Sequence, residues 1–183
     1  MISKQKLAAL VLVILTFHLS PFTLNAQNIS YDVNFTHTRE MKASGKTIVK
    51  TGHLIFDGTD QLTMNYTDPE GEYFIVEGNT VKMNLNGKKT EVNATKVKSV
   101  DLQRSTLLNC LSGNWQEAAK ANNAESTVAI SKGIHTVKLT AKGKVQRGGY
   151  SSVELTYRTS DGKLLKMVLV EAAGIKNTYE IVP

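Results

Sequence analysis

Residues 74–89 read FIVEGNTVKMNLNGKK, and two reverse-turn signals stand inside this one stretch. Gly78-Asn79 and Asn86-Gly87 tolerate positive φ, and Asn-Gly is among the strongest short signals for a hairpin. The turns predict three consecutive antiparallel strands, Glu72 to Val76, Thr80 to Leu85 and Lys88 to Val92. Nothing in the stretch is arranged for chemistry, so the question it raises is what such a sheet is for.

The same grammar extends outward in both directions. Upstream, Ile29, Tyr31, Val33 and Phe35 alternate with Ser30, Asp32, Asn34 and Thr36, a period of two that marks a half-buried strand. A second run covers Lys46 to Phe56, and Leu62, Met64 and Tyr66 then alternate with Gln61, Thr63 and Asn65. Gly58 and the Asp68-Pro69-Glu70-Gly71 segment punctuate these runs as turns. After Val100 the period changes. Ser105 or Thr106 caps a short predicted helix carrying Leu107, Leu108 and Leu111 and ending at Gly113. Asn114 opens a second, with Trp115, Ala118, Ala119 and Ala121. Strands resume from Ser126 and run to Val182, broken by turns at 159–162 and at Gly174. The expected fold is mainly β (α+β), with about eleven antiparallel strands and one short helical insert over residues 105–122. The strand Glu72 to Val76 is apolar on both faces, Tyr73 and Ile75 against Phe74 and Val76, and such strands need cover on both sides. A single curled sheet overlaid by helices and a two-sheet sandwich both provide it.

The first 26 residues read differently. Lys4 and Lys6 precede an apolar run from Leu7 to Phe17, and Leu24-Asn25-Ala26 supplies a small-residue end, so residues 1–26 read as a secretory signal peptide cleaved after Ala26. His18, Ser20 and Pro21 interrupt the run before it reaches the roughly 18 residues of a membrane span. Residues 27–183 then form one domain, with no linker, repeat or charge block dividing them. The net charge is +6, of which Lys4 and Lys6 supply two, leaving a mildly basic +4 in the mature chain. No basic run interleaved with aromatics points to nucleic acid. The single cysteine, Cys110, sits among Leu107, Leu108 and Leu111 as a buried small hydrophobe, far from any site of N-terminal lipidation.

Groups suited to catalysis are scattered. His37, His53 and His135 fall on separate strands without metal-ligand spacing and are expected to be half-exposed. Gly149-Tyr150-Ser151-Ser152 lacks the second glycine of a nucleophile elbow. Asp57, Asp60, Asp68, Glu70 and Glu72 crowd near two turns in a spacing that fits no calcium loop, and turn chemistry accounts for them. No catalytic residue, metal or cofactor is expected.

Three stretches carry a family resemblance: GHLIFDGTDQLTMNYTDPEGEYFIVEGNTVKMNLNGKK at 52–89, LLNCLSGN at 107–114, and VELTYRTSDGKLLKMVLVEAAGIKNTYEI at 153–181. Taken together they resemble the periplasmic lipoprotein-carrier family LolA, in the form found in the Bacteroidetes group. The resemblance covers nearly all of the mature chain. It implies an unclosed antiparallel half-barrel with a helical lid, a periplasmic monomer that shelters acyl chains of lipoproteins or other lipids. It also implies an inner-membrane donor and an outer-membrane acceptor.

Under that resemblance the hollow is lined by Tyr31, Val33, Phe35, Leu54, Phe56, Leu62, Met64, Tyr66 and Met83, and the lid contributes Leu107, Leu108, Leu111 and Trp115. Leu62 and Met64 fall on an inward aromatic pair of the family, and methionine adapts to irregular ligands. Two features depart from its better-known members. Gly58 stands about where they carry an arginine, and Ile29 is already in strand pattern where they begin with a lid helix. The competing reading is an envelope structural or sensory module that grips a protein partner or another lipid. An enclosed apolar pocket of several hundred Å³ favours the carrier, and an aromatic-rich exposed sheet edge favours the module.

Overall fold

The computed structural model describes residues 29–182; the expected signal peptide and its cleavage point after Ala26 lie outside the described residues. Six strands come first: β1 (Tyr31–Met41), β2 (Lys46–Phe56), β3 (Gln61–Asp68), β4 (Glu70–Glu77), β5 (Thr80–Leu85) and β6 (Lys88–Asn93). A 3₁₀ turn (Ala94–Lys96) leads into α1 (Lys98–Leu111) and α2 (Trp115–Ala121). Five strands follow: β7 (Ala124–Ser131), β8 (Ile134–Ala141), β9 (Tyr150–Arg158), β10 (Leu164–Glu171) and β11 (Ile175–Val182). The Asn-Gly signal is realised as expected, Asn86 and Gly87 joining β5 to β6 at φ 53° and 75°.

All eleven strands belong to one antiparallel sheet in the order β6-β5-β4-β3-β2-β1-β11-β10-β9-β8-β7. The first described strand therefore lies in the middle of the sheet, since β1 pairs with both β2 and β11. The chain meanders to one edge, crosses through the two helices, and meanders back from the other edge. The sheet does not close: β6 and β7 are edges, and the insert is the only described segment joining them. This is a half-barrel with helices in its hollow, which decides between the two arrangements the sequence left open. Tyr73 and Ile75 on the outer face of β4 stay half-exposed with no second sheet over them.

Period two sets which residues face inward. Tyr31 pairs with Phe56, Leu54 with Met64 and Leu62 with Val76, so successive strands add one apolar rung after another to the concave face. Leu107, Leu108, Cys110, Leu111 and Ala118 of the helices are buried in the same core. At Gly52 the backbone approach is close: a Cβ there would lie 2.4 Å from the Asn65 carbonyl oxygen and 2.8 Å from the Phe35 ring. Phe35 fills the space that a larger residue on β2 would take.

The first helix begins at Lys98, well before the Ser105 or Thr106 cap expected from sequence. Both hydroxyls bond back to the Leu102 carbonyl inside the helix, at 3.1 and 2.7 Å, which is the mid-helix alternative to capping. Tertiary contacts hold the extra turns. Arg104 donates to Asp101 and to the Gly78 carbonyl at 3.1 Å, on the turn between β4 and β5.

Candidate functional site

The residues expected to line the hollow share the concave face. Tyr31, Phe35, Leu54, Phe56, Leu62, Met64 and Tyr66 are buried, while Val33 and Met83 are half-buried. Leu107, Leu108 and Leu111 of the insert are buried against them, and Trp115 packs on the core with one side open. The hollow is thus occupied by the protein's own leucines. A cavity bordered by Tyr31, Val33, Leu164 and Ile181 measures only about 50 Å³. A larger one, about 470 Å³, lies outside the hollow between the β1–β2 and β10–β11 turns.

Hydrogen bonds pin the insert to the wall. The Tyr31 hydroxyl donates to the Leu111 carbonyl at 3.2 Å and accepts from the Leu164 N–H at 2.7 Å. The Tyr157 hydroxyl donates to the Cys110 carbonyl at 2.9 Å. These carbonyls end α1, beyond the reach of its i→i+4 ladder, and that of Cys110 accepts in addition from the Gly113 N–H at 3.4 Å. At the other end of the insert Asn122 donates to Thr106 Oγ1 and to the Ala118 carbonyl, and its Oδ1 accepts from the Tyr150 N–H. Burial pushes the Tyr31 hydroxyl and the Cys110 thiol each up to about 12, so both stay neutral at ordinary pH. Arg104, Asn122 and Tyr157 were not among the residues singled out from the sequence. Only Tyr157 carried a signal, as an apolar-face residue of its strand with a polar tip.

Cover over the apolar face stops short of its flanks. Phe74, Met83 and Leu85 on β4 and β5 remain half-exposed. On the far edge, Val128 and Ile130 of β7 pair with the buried Val137 and His135 of β8 and so share their face, yet are 48% and 55% exposed.

Beyond Phe35 the inner face changes character. His37 and His135 are buried, at 8% and 3% exposure, correcting the expectation that they sit half-exposed. His37 is stacked on Tyr179 at 4.3 Å between ring centres, and its two nitrogens contact the Tyr66 hydroxyl at 3.1 Å and Asn177 Oδ1 at 3.2 Å. This suits a neutral ring that donates from Nε2 to Asn177 and accepts at Nδ1 from Tyr66. Burial moves the ring down to about 4. Asn177 Oδ1 also accepts from Arg39, and its Nδ2 donates to Glu171 at 2.9 Å.

Glu72, grouped with turn acids by sequence, points inward and forms a buried ion pair with Lys50. Burial alone would raise its carboxyl, but the Lys50 ammonium and the Asn86 N–H hold it below the usual range. Asp57 does behave as turn chemistry predicts, accepting from the Thr59 and Gln61 N–H groups. Among the described residues no group of three His, Cys, Asp or Glu is placed to hold a metal, and no helix is long and apolar enough to cross a membrane.

Comparison with known proteins adds a family to this geometry. The family model described as outer membrane lipoprotein carrier protein LolA matches residues 26–182. No curated protein matches. Among solved structures, a LolA superfamily protein from Nitrosomonas europaea is similar at 8% identity and a TM-score of 0.37, over 85% of each chain. A putative outer membrane lipoprotein-sorting protein domain from Vibrio parahaemolyticus is similar at 8% identity and a TM-score of 0.35, covering 86% of this chain and 85% of that one. In the MucA/MucB complex of Pseudomonas aeruginosa the match has 11% identity and a TM-score of 0.47, over 85% of this chain and 52% of the other.

Proposed function

This chain belongs to the LolA outer membrane lipoprotein carrier family, and on that premise we propose that it shelters acyl chains of lipoproteins or other lipids between its curved sheet and its helical insert. It works in the periplasm after loss of its leader at Ala26, and passes cargo from an inner-membrane donor to an outer-membrane acceptor. It is a carrier and not an enzyme: no bond is made or broken. The proposed lining is the inner face from Tyr31 to Met83, and Leu107, Leu108, Leu111 and Trp115 form the lid.

One observation carries the reading: an apolar inner face spread over many strands is covered by a segment that belongs to neither flank of the sheet and only bridges its two edges. The cavity of about 50 Å³ beside Tyr31 and Val33 is too small for an acyl chain, so loading is proposed to require the insert to swing off the wall. Exposing Leu107, Leu108 and Leu111 costs about 1.5–3 kcal/mol each. Seating an acyl chain of about sixteen carbons on the vacated wall returns on the order of 12 kcal/mol relative to water. Cargo arriving from a bilayer leaves an equally apolar solvent, so its transfer is near balance, as a carrier that must also release requires.

A fluorescent fatty-acid probe tests this. Met64→Glu places an unpaired charge in the apolar hollow and is expected to weaken probe binding at least tenfold, whereas Thr63→Glu, on the opposite face, leaves it within twofold. Trp115 emission should shift on addition of acyl ligand, with a ligand-dependent rise in melting temperature. Equal effects of the two substitutions would show that the binding face is wrongly assigned, and Trp115 emission and a melting temperature that ligand does not move would leave the insert as a permanent plug. A second reading, an envelope module that grips a protein partner, draws on the exposed inner face of edge strand β7 at Val128 and Ile130. It predicts protein binding that survives Met64→Glu.

A further inference from the structure

Strand direction alternates along the sheet, so the β1–β2, β3–β4, β5–β6, β8–β9 and β10–β11 connections all lie at one rim of the half-barrel. That rim gathers exposed cations: Lys42 and Lys46 beside the first turn, Lys88 and Lys89 after Gly87, and Lys142, Lys144 and Arg147 in the β8–β9 loop. Among the described residues none of them has a carboxylate within ion-pair distance. The rim's exposed acids are Asp68, Glu70 and Glu125, fewer than its exposed cations. The opposite rim is different. There, too, exposed Lys96, Lys98 and Lys132 have no carboxylate within ion-pair distance among the described residues, but they stand beside exposed Asp57, Asp60, Glu77 and Asp161, with Glu77 pairing Lys82 and Asp161 pairing Arg158. The charge imbalance therefore belongs to one end of the molecule and not to the chain as a whole.

The basic loop is also held in place. A Cβ at Gly148 would lie 2.5 Å from the Ser99 carbonyl oxygen, so the loop is seated against the start of α1. At the same rim lies the cavity of about 470 Å³. Met41 and Val170 give it apolar wall, Lys42, Lys46 and Lys176 surround it, and Glu40 is engaged by Lys176 at 3.1 Å. Its volume is that of a ligand pocket, and apolar wall edged by unpaired ammonium groups matches an anionic amphiphile.

We propose that this rim docks on an anionic lipid surface, the groove between the β1–β2 and β10–β11 turns receiving a lipid phosphate group. The proposal goes beyond carriage of cargo, because it concerns the outside of the half-barrel and requires no movement of the insert. Each Lys or Arg near an anionic bilayer raises partitioning by roughly fivefold, within about a Debye length of the surface. Several cations on one rim orient the molecule with that end toward the membrane.

Flotation of the exported protein with phosphatidylglycerol-containing vesicles, against pure phosphatidylcholine vesicles, is the test. Binding should appear only with the anionic vesicles and weaken as salt rises. Lys42→Glu/Lys46→Glu should lower it at least tenfold. Lys96→Glu/Lys132→Glu, on exposed cations of the opposite rim with the same change in net charge, should lower it less than twofold. Equal losses from the two pairs would overturn the assignment to this rim, and so would the absence of any preference for anionic vesicles. Displacement by inorganic phosphate at matched ionic strength would make the groove a site for the free anion and would also overturn the docking. Circular dichroism confirms that both variants fold, and probe binding in the hollow is read separately, so failure here leaves the carrier reading intact.

Discussion

Strand β1 crosses two environments on the same inner face. Tyr31, Val33 and Phe35 join the apolar cluster that includes the leucines of the helical insert, to which Tyr31 is hydrogen-bonded, whereas His37 and Arg39 hydrogen-bond to side chains of other strands. The apolar half is stabilised by removing carbon from water and needs a cover to do so. The polar half builds its own closure from cross-strand bonds among His37, Tyr66, Asn177 and Glu171 and from the Lys50–Glu72 pair. A hollow with one self-satisfied end and one end that relies on a separable segment can open at the second without disturbing the first. The carrier reading needs this division, and it can be broken experimentally from either side.

The largest effect is expected at the buried ion pair. Glu72→Ala leaves the Lys50 ammonium, whose side chain is only 12% exposed, without its partner, and should cost about 3–5 kcal/mol in denaturant unfolding. Replacing both residues together, Lys50→Met with Glu72→Leu, should recover most of that loss, because no buried charge then remains. A double variant as unstable as the single one would show that the polar half depends on packing and not on charge.

Acid comes next. The ordinary value for histidine is 6.5 and His37 is held at about 4 by burial, so the unfolded chain binds the extra proton first as pH falls. The stability that a neutral buried His37 contributes is therefore full above pH 6.5 and is lost as pH falls to about 4, a change of about 3 kcal/mol. His135, also lowered by burial, acts in the same direction. His37→Gln should flatten the slope of stability against pH over that range without abolishing it, and urea melts at a series of pH values would measure this. An unchanged slope would place the acid sensitivity outside the polar half.

The smallest effect probes the apolar half. Tyr157→Phe removes the donor to the Cys110 carbonyl while keeping the ring, and should cost about 1 kcal/mol of stability. Because the lost bond ties the insert to the wall, amide exchange in α1 should accelerate more than exchange in β1 and β2. Uniform acceleration would mean that the insert and the sheet open as one unit.

Much of this molecule was legible from local pattern. Alternation at Leu62, Met64 and Tyr66 and the Asn86-Gly87 turn gave strands where the structure has them, because side-chain period and positive φ are properties of a few adjacent residues. The inward face of each strand followed from the same alternation, and family resemblance supplied the half-barrel. Other features were decided by residues far apart in the chain. The start of α1 rests on Arg104 reaching Gly78, and the burial of His37 on Asn177, which is 140 residues away. Glu72 looked like a turn acid because its partner Lys50 lies two strands away, beyond β3. Whether the hollow is empty or filled was likewise invisible, since Leu107 and Leu111 carry the same apolar signal whether they cover a ligand or replace one. A linear pattern records which side chains avoid water; only the curling of the sheet around the insert determines what they meet instead.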